Sequence, residues 1–380
     1  MDEPHRHPEQ QNPASGRTSA PRITVRSIED YLTGLYGQPV SVLSLSEEGK
    51  QETSEDLKEY GYGAPLFLDY MIAGERKKAV LETMAPSSFG HDHFSDRAQS
   101  VLWEHAAFNN LPRHVRSLDS GAFLDNGTII STGNAQEFFL LTEFVPGKGY
   151  FKDLDRILHT GIASDEDLAR VQALSDCLVE IHSERSGAAS LYVRRIRDLL
   201  GHGECIMGLI DNYPESFEFI DRSLLRDIEL ACVDWRWRIK QRIHRLCRVH
   251  GDFHPYNILF RSGTEFTLLD RSRGEWGEPA DDTTCLSINY LLCSLQRSGK
   301  LDGPFERMFR MFWENYLAKT GDREMLEVVA PFFAWRGLVI ASPVWYPHLP
   351  GPVRRTLFNF IRNILAADRF DPEDMNRYLA

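Results

Sequence analysis

The chain has 380 residues, 42% hydrophobic and 26% charged, with a formal net charge of −12. That composition describes a folded protein with ample core and a length suited to two or three structural units. No apolar run reaches the roughly 18 residues of a membrane span. The acidic balance argues against nucleic acid as a partner and is compatible with a cationic small molecule.

Residues 1–22 are rich in Pro, His, Gln and Ser and carry no apolar core of a secretory signal, so they read as a disordered tail. From there to residue 145 the pattern is that of an α+β unit. Ile23 to Tyr36 predict an opening helix packing Ile28, Tyr31, Leu32 and Leu35, and Val40 to Leu45 a first strand. The polar, acidic stretch Glu47 to Glu59 follows and ends in Gly61-Tyr62-Gly63. Leu66 to Ala73 and Lys78 to Thr83 predict the second and third strands, joined at Gly74-Glu75 as a hairpin turn. A helix to about Asn109 is expected, capped by Ser95 or Asp96. His91-Asp92-His93 before it reads as a polar helix start rather than a metal site. Ser117 to Leu124 and Glu137 to Phe144 predict two more strands.

Pro146-Gly147 breaks this pattern, and helical periodicity dominates residues 146–380. Asp165 to His182 predict a helix with Leu168, Val171, Leu174, Leu178 and Ile181 on one stripe. Gly187 to Cys247 read as a long helical segment. Asp282 to Leu295, Phe305 to Ala318, Met325 to Ile340 and Val353 to Ala367 predict four more helices. Cys177, Cys205, Cys232, Cys247, Cys285 and Cys293 form no C-x-x-C pair, so reduced core thiols in a cytoplasmic protein are expected.

The most informative stretch is His250-Gly251-Asp252-Phe253-His254-Pro255-Tyr256-Asn257, followed by Leu268-Leu269-Asp270. It offers one carboxylate to orient a hydroxyl, and an amide with a second carboxylate to hold magnesium. These are the groups that phosphoryl transfer from a nucleoside triphosphate requires. His250 and His254 also have the His-x-x-x-His spacing of a zinc pair, but no third ligand accompanies them. Bracing of the loop by hydrogen bonds is the reading preferred for both.

The His-x-Asp-x-x-x-x-Asn spacing resembles the catalytic loop of the protein-kinase-like fold. Gly after His and His-Pro after Asp252-Phe253 resemble the aminoglycoside phosphotransferase and choline kinase branch. Gly277-Glu278-Pro279-Ala280-Asp281-Asp282 adds a third match, where those antibiotic kinases carry Gly-Asp-Pro-x-x-Asp before a helix. The resemblance covers about residues 30 to 340. It implies an α+β, two-lobe fold with a small five-stranded antiparallel N-lobe over residues 23–145 and a mostly helical C-lobe over residues 146–380.

The same resemblance implies ATP or GTP with Mg2+, and a small-molecule acceptor bearing a hydroxyl. Asp252 would orient that hydroxyl, and Asn257 and Asp270 would hold the metal. Asp282 would cap its helix or brace the catalytic loop. Phe144 and Val145 would form the adenine-binding linker, and Gly61 and Gly63 would cover phosphates. Glu104 lies where kinases pair a Glu with the phosphate-binding Lys. Trp235, Arg236 and Trp237, or Trp335, Arg336, Trp345, Tyr346 and His348, would line the acceptor side.

Two departures matter. The third strand reads Lys77-Lys78-Ala79-Val80-Leu81-Glu82, so Glu82 stands in the register of the expected Lys and would repel phosphate. Lys78 lies about 13 Å upstream at the usual strand rise. After Asp270 the family's aromatic and Gly are replaced by Arg271-Ser272-Arg273-Gly274. Arg271 or Arg273 could supply the missing charge to the phosphates or recognise an anionic acceptor. The alternative to a kinase is a pseudokinase, a nucleotide- or ligand-binding regulator without phosphotransfer.

Overall fold

Leu66–Ile72, which sends its alternate residues Leu68, Tyr70 and Ile72 into a core, is the central strand of the first of two units in the computed structural model. It describes residues 23–46 and 65–380, and the chain divides between Thr142 and Glu143. The tail 1–22, the acidic stretch 47–59 and the glycines Gly61 and Gly63 lie outside the described residues.

In the first unit, helix α1 (Val25–Tyr36) begins where the Thr24 hydroxyl accepts the Ser27 N–H at 3.1 Å and stops at Gly37, whose φ of 64° suits a left-handed cap. Its buried Ile28 and Leu32 pack with Val40, Leu68, Tyr70 and Ile72. Strands β1 (Val40–Ser46), β2 (Leu66–Ile72) and β3 (Glu75–Leu81) form an antiparallel sheet in that order. The β2–β3 turn is centred one residue earlier than Gly74-Glu75. Ala73 and Gly74 both take positive φ, 49° and 81°, as a two-residue hairpin demands. Glu75 pairs with Ile72 and so already belongs to the strand.

Helix α2 (Phe94–Phe108) follows, with His93 at the N-cap position and Asp96 reaching back to accept the His93 N–H at 2.7 Å. A short hairpin, β4 (Gly121–Phe123) with β5 (Ile129–Ser131), completes the unit. Asp119 ties it to α1 and the next turn, accepting from the Tyr31 hydroxyl at 2.6 Å and from Gly133 N at 3.0 Å.

Among the described residues the unit shows strands β1 to β5, with a helix between the third and fourth, grouped as a three-stranded sheet and a separate hairpin rather than as one five-stranded sheet. Ser117 to Leu124 shrinks to Gly121–Phe123, and Glu137 to Phe144 forms no strand. A strand exists only where a neighbour satisfies its N–H and C=O groups. Among the described residues none pairs with 137–144, and Phe139, Leu140, Leu141 and Phe144 are each at least 87% exposed.

The second unit is predominantly helical. Strand β6 (Lys148–Gly149) leads into α3 (Phe151–Thr160), α4 (Asp165–Ser183), α5 (Ala189–Gly201) and α6 (Ile206–Asp211). A hairpin, β7 (Ser216–Phe217) and β8 (Ile220–Asp221), interrupts the expected helical stretch before α7 (Arg222–Ile239). Short strands β9 (Cys247–Arg248), β10 (Ile258–Phe260), β11 (Phe266–Leu268) and β12 (Trp276–Gly277) surround the motif region, with β11-β10-β6 and β12-β9 paired antiparallel.

Helix α8 (Ala280–Ser298) runs through the core, its first turn and most later residues buried. It packs on α3, α9 (Gly303–Thr320), α10 (Ala330–Ala341) and α11 (Gly351–Ala366). The expected helix Met325 to Ile340 is split into a 3₁₀ turn, Arg323–Glu327, and α10. Pro331, in the first turn of α10, suits a helix start, where a missing N–H leaves no bond unmade. All six cysteines are free thiols, with Cys205, Cys232, Cys247 and Cys285 buried. Among the described residues no helix is long and apolar enough to cross a membrane.

Candidate active site

The loop between β9 and β10 is fixed from beneath by one carboxylate. Asp282, in the first turn of α8 and 0% exposed, accepts the N–H of His250 through Oδ2 and of Gly251 through Oδ1, each at 2.7 Å. His182 of α4 adds a contact to Oδ2 at 3.1 Å, and its other ring nitrogen meets the Tyr316 hydroxyl at 2.8 Å. Burial opposes the charge of Asp282, but His182 and the His250 N–H outweigh it and hold its carboxyl below the ordinary value. Gly251 takes φ of 87°, a conformation open to glycine, so the chain can turn sharply just before Asp252.

Asp252 is buried, and both of its oxygens have partners. Oδ1 receives Arg273 Nη1 at 2.6 Å and Arg336 Nη1 at 2.8 Å. Oδ2 has looser company, His254 Nε2 and Asn257 Nδ2, both at 3.4 Å. Desolvation works against ionisation here. The His254 hydrogen bond and the charges of Arg336 and Arg273 prevail, and hold the carboxyl well below the usual carboxylate range. Oδ2 is thus the oxygen able to accept a hydroxyl.

Asn257 closes the 3₁₀ turn Pro255–Asn257. Its Nδ2 donates to Asp252 O at 3.1 Å, which leaves the amide oxygen for a hard cation. Pairing of β10 with β11 brings the second candidate ligand to the same end of the hairpin: Leu269 N donates to Asn257 O at 2.8 Å, and Asp270 follows. Asp270 is exposed and adopts φ of 52°, one of four non-glycine residues with positive φ among those described. Such a backbone conformation is uncommon, and tends to be held where a side chain must be aimed. An amide oxygen and a single carboxylate suit magnesium, which usually completes its octahedron from phosphates and water.

The two histidines brace the loop. His250 Nδ1 faces the Asp252 N–H at 3.3 Å, and His254 Nδ1 faces that of Tyr256 at 3.1 Å. Among the described residues no three His, Cys, Asp or Glu side chains gather as a metal site.

Arg271 and Arg273 part ways. Arg271 forks onto Val249 O, from Nε at 3.0 Å and Nη2 at 2.8 Å, and reaches Glu275 O at 3.2 Å. Arg273 turns instead to Asp252, with Glu204 on its Nε at 3.3 Å. Arg336 bridges Asp252 and Asp281, the latter at 2.7 Å, and Asp281 also holds Arg195 at 2.6 Å. The Trp335 ring lies beneath Arg336 at 3.8 Å and beside Arg273 at 5.2 Å.

Of the remaining candidates, Glu82 is exposed one residue beyond the end of β3, and Glu104 lies exposed on α2. Phe144 is exposed and Val145 half-buried. Asp252, Asn257 and Asp270 are brought together within one loop and hairpin; of the nucleotide-side candidates, Glu82 and Glu104 belong to the first unit and Phe144, Val145 and Arg271 to the second. Sequence reasoning missed Arg195, Asp281 and His182. Asp281 lay inside a recognised motif beside Asp282; Arg195, in the run Tyr192-Val193-Arg194-Arg195-Ile196, carried no signal.

The model of the phosphotransferase enzyme family matches residues 93–303, more than half of the chain. No curated protein gives a significant match. Among solved structures, a glucosamine kinase is similar at 16% identity and a TM-score of 0.38, over 55% of this chain and 58% of that one. An ethanolamine kinase of Plasmodium vivax gives 14% identity and a TM-score of 0.34, over 87% and 82%. The gentamicin complex of APH(2")-IIa gives 12% and 0.32, over 91% and 96%. This chain spans less than two thirds of the glucosamine kinase, and at such TM-scores the assignment rests on the family model alone.

Proposed function

From a chain that belongs to the phosphotransferase enzyme family, we propose a kinase that transfers the γ-phosphoryl group of ATP, or GTP, to a hydroxyl of a small molecule. The observation that carries this reading is that Asp252 and Asn257 share a loop whose backbone Asp282 clamps, with Asp270 at the adjoining end of the β10–β11 hairpin. In the reaction the acceptor oxygen bonds to the γ-phosphorus as the bond from that phosphorus to the β–γ bridging oxygen breaks. The nucleoside diphosphate leaves with that electron pair, and the hydroxyl proton passes by way of Asp252 Oδ2 to water. Asp252 Oδ2 receives and orients that hydroxyl. Its depressed basicity suits a loose transition state, in which positioning counts for more than early proton removal. Asn257 and Asp270 would hold magnesium, which supplies charge neutralisation at the phosphates. Phe144 and Val145 would offer backbone groups to the base, and Arg271, by fixing Val249 O, keeps the loop in place.

A second reading, a nucleotide-binding regulator without transfer, is favoured by Glu82 in place of a Lys and by the two arginines on Asp252. Radiolabelled γ-phosphate from ATP with magnesium, offered to a panel of alcohols, separates the two. Label transferred to an acceptor supports the kinase. Wild type that binds ATP but transfers nothing, with transfer appearing in Glu82→Lys, supports the regulator.

A further inference from the structure

The ion pairs around Asp252 form an open chain, Arg273 to Asp252 to Arg336 to Asp281 to Arg195, that begins and ends on arginine. Three guanidiniums against two carboxylates leave a local positive surplus, in a protein whose formal net charge is −12. The other ionisable groups facing the cluster do not cancel it within the core. Asp282 is already spent on His182 and two backbone amides. The Cys285 thiol, 3.9 Å from Asp252 Oδ1, is pushed well above its ordinary value by burial and is neutral. Glu204 pairs with Arg273 only through Nε, and is 60% exposed, so water screens it and another anion can readily take its place.

The cluster is also prepared for an anion. Trp335, whose Nε1 donates to Glu204 O at 3.0 Å, backs both Arg336 and Arg273 with its ring, so the two planar forks are held without consuming their donors. Buried Arg336 keeps an Nε that donates to no group among the described residues. Arg273, on the turn after Asp270 and 18% exposed along its side chain, is the arginine of the pair on Asp252 that solvent reaches most.

We infer that the acceptor of this phosphotransferase carries an anionic group, a carboxylate or phosphate, near the hydroxyl that is phosphorylated, and that Arg273 binds it. This rests on the reading of Asp252 as the group that orients the hydroxyl. The ligand anion takes Arg273 from Asp252 Oδ1 and Glu204 as it docks, and Arg336 stays to hold Asp252 in place. An acceptor with an ammonium group at that position would meet repulsion instead. The overall acidity of the chain is compatible with a cationic acceptor; the charge immediately around Asp252 has the opposite sign.

Calorimetric titration of the full chain, without nucleotide, tests this with two series of probes matched in shape. One is glycerate, glycerol and 3-aminopropane-1,2-diol; the other is glucuronate, glucose and 6-amino-6-deoxyglucose. In at least one series the acid is expected to bind about tenfold or more tighter than its neutral and amino twins, as one charge-assisted pair allows. Arg273→Gln is expected to erase that advantage, and Glu204→Gln, which removes the competing carboxylate, to enlarge it. Should Arg273→Gln fail to fold, Glu204→Gln alone decides. Acids that bind no better than their neutral twins in both series, including no binding at all, overturn the inference, as does an advantage unmoved by the variants. Binding of acids that Arg273→Gln abolishes, by a chain that phosphorylates nothing, would sink the kinase reading and with it the identification of the anion as an acceptor, and would leave standing only the anion-binding role of Arg273. Preferential phosphorylation of the amines would do the reverse.

Discussion

Arg273 and Asp252 are joined at 2.6 Å, on the same carboxylate oxygen that Arg336 holds at 2.8 Å. The two contacts are unequal in burial: the Arg336 side chain is 7% exposed and that of Arg273 18%. Arg336→Ala should therefore destabilise the second unit by about 3–5 kcal/mol, since it strands Asp252 and Asp281 in the interior. Arg273→Ala should cost about 1 kcal/mol. In either variant Asp252 should titrate nearer the ordinary carboxylate range. Urea unfolding and carboxyl NMR titration check both statements; equal destabilisation by the two variants would contradict them.

Asp282 makes its two 2.7 Å bonds to consecutive backbone amides, and an amide side chain cannot accept both with two oxygens. Asp282→Asn should lose about 3 kcal/mol of stability. It should also speed hydrogen exchange at His250 and Gly251 of the β9–β10 loop relative to the amides of α8. Unchanged exchange at those two amides would show that the clamp is not what orders the loop.

This clamp also shows what the sequence could and could not say. The motif His250 to Asn257, the Asp270 that follows it and the structural role of Asp282 were all legible, because they rest on short spacings set by one loop and one hairpin. Helices α4, α8, α9 and α11 were legible for the same reason, periodicity being local, whereas α3 did not stand out and α5 to α7 merged into one stretch. The grouping of the strands was not, since a strand needs a partner, and Glu137 to Phe144 has the apolar character without one among the described residues. Nor could spacing reveal that Arg336, 84 residues after Asp252, meets its carboxylate. Arg336 was legible only as part of an aromatic segment, and Arg195 not at all.

Acid should weaken the fold in two stages. Burial lowers the pKa of His250 below its ordinary value, against the pull of Asp282 and Asp252. The unfolded chain therefore takes up this proton first, and stability falls as pH drops below about 6.5. Asp252 and Asp282 are depressed despite burial by their histidine, arginine and amide partners. Their contribution is present above the unfolded value of about 3.9 and is lost as pH falls further. In both cases the folded state binds fewer protons, so stability rises with pH. Urea midpoints measured from pH 7 to 3 should show both stages, and His250→Gln should flatten the first. A wild-type midpoint level between pH 7 and 5 would contradict the assignment.

The central claim is that Asp252 orients the acceptor hydroxyl for phosphoryl transfer. Asp252→Asn keeps the side chain's size and removes its charge. The most direct measurement is the rate of label transfer from γ-labelled ATP to the best acceptor, alongside the nucleotide dissociation constant, in wild type and Asp252→Asn. The account predicts that kcat falls about 100-fold or more while nucleotide affinity is unchanged. Transfer that continues undiminished in Asp252→Asn would contradict it.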